Sequence, residues 1–227
     1  MTALLLTLCL LLCSCAPAPC WQQEQELREL LPDTEIALTD IPAPVAAEIV
    51  RAVRYCKDNY PPAVAYIKSM KSDYALSRKG TFPTAYYAVT SMAMLYPYNS
   101  IKWNDAALQS LTSVRKQYQS DVWLGFHVPV PRNDEMYALT LHELAHVLTA
   151  NLSLQDELDI IRLYQIYQLE VQGGVNFASN AGLNIIEFIA EAFVDGCCNG
   201  QKANGISQSV MKVIDRRITF KALQPVS

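Results

Sequence analysis

The chain of 227 residues reads as an α+β domain, mostly helical, with a small β-sheet beside one central helix. Two observations predict this. Apolar residues recur at helical spacing through most of the length, whereas residues 99–131 mix β-branched and aromatic residues in short extended runs. Hydrophobic residues make up 51% and charged residues 18%, enough apolar surface for a core and too little charge for a disordered chain. The 18 Lys and Arg are outnumbered by 22 Asp and Glu, so no basic excess is present to neutralise a phosphate backbone, and no nucleic acid is expected as a partner.

Residues 1–20 are set apart from the fold as an export signal or lipobox region. Residues 2–20 carry no charge, and the apolar run 3–12 has the length of an export-signal core rather than a spanning helix. Leu12-Cys13-Ser14-Cys15 resembles a bacterial lipobox, which would place a lipid anchor on Cys15; an ordinary signal cleaved before Trp21 is the competing reading. Both predict an exported protein, as a membrane-anchored lipoprotein or as a secreted or periplasmic one. If Cys15 carries lipid, Cys20, Cys56, Cys197 and Cys198 remain, which permits two disulfides in any of three pairings.

The remainder, residues 21–227, is expected to be one domain with a helical N-terminal part. Leu27, Leu30 and Leu31 among Gln and Glu predict a helix over 21–31, closed by Pro32 and Asp33. A strand is expected at 34–38. Pro42 and Pro44 open a helix to Cys56, Pro61 and Pro62 another to Met70, and Pro83 a third ending before Pro97. Two strands, 100–103 and 122–128, flank a helix over 105–118. Asn133-Asp134 is read as the N-cap of a helix to Asn151, and a second helix covers 155–171. A Gly, Asn and Ser-rich loop over 173–184 leads to a strongly apolar helix, 185–197, and a last helix covers 206–220.

The chemistry is concentrated in His142-Glu143-Leu144-Ala145-His146. At about 3.6 residues per turn, His142 and His146 share one helix face a turn apart, so both imidazoles can reach one tetrahedral cation, Zn2+. Glu143, rotated by about 100°, lies near that metal without ligating it, as a general base for a metal-activated water requires. The helix is otherwise apolar, and buried charges need partners. A third ligand must come from elsewhere, and no histidine follows at metzincin spacing. Glu187, Glu191 and Asp195 form an i, i+4, i+8 stripe on the apolar helix 185–197. We assign Glu187 as third ligand and Glu191 as the acceptor that fixes a ligand histidine's tautomer; geometry alone leaves the reverse open.

His142 to His146 followed by Glu187-Phe-Ile-Ala-Glu191-Ala-Phe193 resembles the gluzincin zinc metallopeptidases, in particular the group containing the anthrax lethal factor catalytic domain and related phage and bacterial peptidases. Gly125-Phe-His127-Val-Pro129 is similar to a Gly-x-His-Pro stretch before the zinc helix in the phage-type members. The resemblance spans about residues 80–200. It implies a zincin-like fold, zinc held by His142, His146 and Glu187, and hydrolysis of a protein or peptide substrate with Glu143 as general base. One position departs from the pattern. Seven residues before the third ligand that group carries a tyrosine serving the oxyanion, and here the place holds Asn180, with Phe177 the nearest aromatic. Tyr164, Tyr167 and His127 are the weak alternative donors, each read more readily as a packing residue than as a catalyst. A different class of function is also compatible with these residues: an exported binding module that keeps the metal site as a structural staple without catalysis.

Overall fold

The computed structural model describes residues 20–73, 88–92, 99–172 and 177–223. The export segment, Cys15 included, and the glycines at 173–174 lie outside the described residues. Cys20, read above as part of that segment, is buried and its Sγ donates to the Leu38 carbonyl at 2.9 Å. Among the described residues no helix is long and apolar enough to cross a membrane.

Helix α1 (Trp21–Leu30) and strand β1 (Glu35–Ala37) come first, followed by α2 (Ala43–Asn59), whose N-terminal turn holds proline where its missing N–H costs no bond. The next segment departs from the expected helix. Pro61–Ala63 makes only one 3-10 turn, Tyr66 takes φ 61°, and Ile67–Ser72 is strand β2. The left-handed residue ends any helical path, and the apolar spacing of Ile67 and Met70 serves a sheet face instead. Ala88–Met92 is strand β3, where a helix opened by Pro83 was expected; the rest of that segment is outside the described residues. Strand β4 is Asn99–Trp103.

The four strands form one mixed sheet in the order β1-β2-β4-β3, the first three parallel and β3 antiparallel at the edge. Register places Ile36 opposite Met70 and Met70 opposite Ile101, and all three are buried, so this row of side chains is the core face of the sheet. The expected strand at 122–128 does not form. Helix α3 (Leu111–Trp123), capped by a reciprocal Ser110–Ser113 pair, runs through its start, and residues 124–131 follow as turns and irregular chain.

Helix α4 (Glu135–Leu152) is the centre of the molecule. It is apolar on nearly every side and packs on α2, on α6 and along β3, as expected for a helix surrounded by protein. Asp134 occupies its N-cap position but does not cap: its carboxylate takes Arg51 at 2.7 Å instead. Ser153 in the left-handed region ends the helix. Helices α5 (Leu158–Gln172), α6 (Ile185–Asn199) and α7 (Gly205–Leu223) complete the chain, with α6 wedged between α4 and α7. One hydrophobic cluster joins residues from Cys20 to Ile214. The architecture is therefore α+β, mostly helical, with a small sheet against the central helix.

Candidate metal centre

The two helices that meet at the centre are fixed by different local devices. Helix α4 is held by burial on several sides. Helix α6 starts at Asn184, whose Oδ1 accepts from the backbone N–H of Ile186 at 2.9 Å and of Glu187 at 3.0 Å. This cap satisfies two of the helix's orphan donors and sets the orientation of the turn that carries Glu187. Asn184 closes the Gly, Asn and Ser-rich stretch, and its position directly before the apolar run is the sequence signal for this cap.

Across the α4–α6 contact, His142 Nε2 lies 3.1 Å from Glu187 Oε2 and His146 Nε2 lies 3.7 Å from Glu187 Oε1. The two imidazole rings stand edge to face, 4.8 Å between centroids. A ligand atom from each of His142, His146 and Glu187 lies within 4.8 Å of the other two. Zinc with bonds of about 2.0–2.2 Å in a tetrahedron separates its ligand atoms by about 3.4 Å, so the Nε2 and carboxylate positions bracket the edge length that such an ion requires. The Nδ1 atoms of both histidines are buried on the far side of the rings from Glu187, and that of His142 faces Glu191 Oε1 at 3.3 Å. The donor set and its spacing fit zinc. Glu187, 27% exposed, is the most accessible of the three side chains and marks the open side of the site.

Glu191, one turn further along α6, is 1% exposed and does not join this trio. Its Oε1 accepts from His127 Nδ1 at 2.7 Å, and its Oε2 accepts from the Val128 backbone N–H at 3.2 Å. The same Oε1 lies 3.3 Å from His142 Nδ1, close to that ring but misaligned for a hydrogen bond. Glu187 thus faces both Nε2 atoms while Glu191 lies on the other side of His142, where His127, His142 and Glu191 form a second group of closely spaced donor atoms. Asp195, the third carboxylate of the stripe, is buried and serves the fold: it accepts from Asn199 Nδ2 and from the Asn204 N–H, each at 2.8 Å, just ahead of α7.

Charge in the centre is unevenly distributed. Burial alone would keep His142 neutral, but the Glu187 and Glu191 carboxylates outweigh it and raise its pKa well above the ordinary histidine value. Burial and the neighbouring His142 lower that of His146. Burial works against ionised Glu187 and Glu191, yet His142 beside the first, and His127 with His142 beside the second, hold both below the usual carboxylate range. Glu143 is buried on α4, and its charge acts on both ligand-type histidines.

The remaining predicted side chains fall elsewhere. Tyr167 is buried against Phe177 and Phe188 and donates to the Ala178 carbonyl at 2.5 Å; Tyr164 reaches the Gly182 carbonyl at 3.5 Å. Both hydroxyls therefore tie α5 to the segment before α6. Asn180 Nδ2 lies 3.4 Å from His127 Nδ1, and the Asn180 N–H donates to the Phe126 carbonyl. Cys20, Cys56, Cys197 and Cys198 are free thiols. Burial pushes the thiol of Cys56 well above its ordinary range and that of Cys198 up to about 12. Compared with known proteins, the chain matches no protein-family model, no curated protein and no solved structure.

Proposed function

We propose that the protein is an exported zinc-dependent metallopeptidase of the gluzincin type, with His142, His146 and Glu187 holding the metal and Glu143 as general base. The observation that carries this reading is the convergence of both Nε2 atoms on the Glu187 carboxylate, at 3.1 and 3.7 Å, from two helices far apart in sequence. Zinc in such a site supplies a Lewis acid for the scissile carbonyl and lowers the pKa of a water. Glu143 takes a proton from the attacking water and returns it to the leaving amine, which balances the hydrolysis of one peptide bond. Glu191 keeps the His142 ring in place from behind. The antiparallel edge strand β3 lies along α4, which supports an extended protein or peptide substrate pairing with that edge beside the metal.

Retention of Glu143 favours an enzyme, because a metal held only as a staple requires no base. One observation favours the second reading, a zinc-stapled binding module: the Tyr164 and Tyr167 hydroxyls are both committed to backbone carbonyls, and Asn180 stands where the resembled group has its tyrosine. Incubating the zinc-loaded protein with a diverse peptide library separates the two. The peptidase cleaves some members and Glu143→Gln cleaves none; a protein that binds zinc and leaves the whole library intact is the module.

A further inference from the structure

The contact made by His127 is used by no step above. Its Nδ1 lies 2.7 Å from Oε1 of the buried Glu191 side chain, a distance at which the ring N–H donates and the carboxylate oxygen accepts. The same Glu191 oxygen lies 3.3 Å from His142 Nδ1. The other oxygen is engaged by the N–H of the next residue, Val128. The His127 ring is stacked on Tyr118, centroids 5.3 Å apart and planes 5° from parallel, and stands edge to face against His142 at 5.9 Å. Tyr118 donates its hydroxyl to the Val128 carbonyl at 2.9 Å, and the backbones of Gly125 and Phe126 accept from Ser179 and Asn180. The segment is thus pinned on both sides of His127, although it belongs to no helix or strand.

We infer that His127 is a positioning residue: by donating Nδ1–H to Glu191 it holds that carboxylate against His142 and so fixes the ring that presents Nε2 to zinc. This deepens the metallopeptidase reading and rests on its metal site. Partners behind a ligand histidine are commonly worth about 10–100-fold in metal affinity. His127 acts one bond further out, so an effect near the lower end of that range, about tenfold, is expected.

Two substitutions separate the N–H from the ring. His127→Asn keeps an amide donor near the Nδ1 position and removes the stacked ring; His127→Phe keeps a ring against Tyr118 and removes the donor. Zinc affinity of the full chain is measured by chelator competition, with wild type, Glu191→Gln and the double variant His127→Phe/Glu191→Gln alongside. The inference expects His127→Phe to lose about tenfold in affinity, His127→Asn to stay within about threefold of wild type, and the double variant to match Glu191→Gln. Equal losses in Asn and Phe, a larger loss in Asn, or no loss in either would overturn it, as would a further loss in the double variant. If His127→Phe does not fold, His127→Gln takes its place: its longer side chain carries the amide donor away from the Nδ1 position, so it is expected to lose affinity where His127→Asn does not, and equal behaviour of Gln and Asn overturns the inference. The wild-type arm reports separately on the metal site: wild type binding zinc while the variants behave identically overturns the role of His127 alone, and wild type failing to bind zinc overturns both.

Discussion

Loading of the site should release one proton, and the number follows from the ionisation of three side chains. His142, raised well above its ordinary pKa, holds a proton at neutral pH in the metal-free protein. His146 is lowered and already neutral, and Glu187 is lowered and already ionised. Zinc needs neutral imidazoles and an ionised carboxylate, so only the His142 proton has to leave. Apparent zinc affinity should rise about tenfold per pH unit between about pH 6 and 7, or about 1.4 kcal/mol per unit. The sign runs oppositely for the metal-free fold. A raised histidine pKa contributes stability that is complete below the unfolded value of about 6.5 and is lost as pH rises through the folded value. Alkalinisation therefore weakens the empty site and strengthens the loaded one. The assay is chelator competition at three pH values in a non-coordinating buffer, corrected for the chelator's own protonation, with proton release measured in weak buffer. A flat affinity, or a hundredfold rise per unit reporting two protons, would refute the charge assignment.

Three further outcomes follow. Glu143→Gln should lower peptide cleavage by at least about a hundredfold while leaving zinc affinity within about threefold, read by steady-state kinetics beside chelator competition. Asn184→Ala removes the acceptor for the Ile186 and Glu187 N–H groups and should cost about 1 kcal/mol in urea unfolding, with a modest fall in zinc affinity because the capped turn carries Glu187. Gly196→Ala would drive a methyl group into Met211, 2.7 Å from its Sδ, where α6 crosses α7; a loss of about 1–3 kcal/mol is expected, partly recovered by adding Met211→Ala.

The parts of the fold legible in the sequence were those with a strong local signature. Helices α1, α2, α4, α6 and α7 carry an apolar period or an all-apolar run with proline or polar residues at the boundary, and each lies within a few residues of its expected place. The failures have a common cause. The segment after Pro61-Pro62 and the one holding Ala88–Met92 have helix-like openings, but their conformation is decided by sheet partners distant in sequence, Ile36 and Ile101 for Met70 and Trp103 for Ala88. Conversely, 122–128 has strand-like composition, and its apolar residues are used to end α3 and to carry His127 to the centre rather than to pair.

The convergence of the candidate ligands was more legible than the sheet, because helical spacing alone puts them on facing turns of α4 and α6. His142, Glu143 and His146 must lie within one helical turn, and the Glu187 to Glu191 step of one turn places one carboxylate toward both Nε2 atoms and the next behind His142. The role of His127 toward Glu191 was invisible: a single histidine in an irregular segment has no period to reveal its target, and the contact exists only once residues 64 positions apart are brought together. The Asp195 carboxylate shows the opposite limit. It shares the stripe with Glu187 and Glu191, yet its partners are Asn199 and Asn204, so stripe spacing alone does not say which carboxylates face the histidines.

The central claim is that two imidazoles of α4 and one carboxylate of α6 hold a single zinc ion, and metal analysis of the purified chain beside Glu187→Ala and Glu191→Ala tests it most directly. The account predicts one zinc per wild-type chain, loss of the ion in Glu187→Ala, and weakened but detectable binding in Glu191→Ala. A wild-type chain that takes up no zinc, or a Glu187→Ala chain that keeps it as tightly as wild type, would contradict the account.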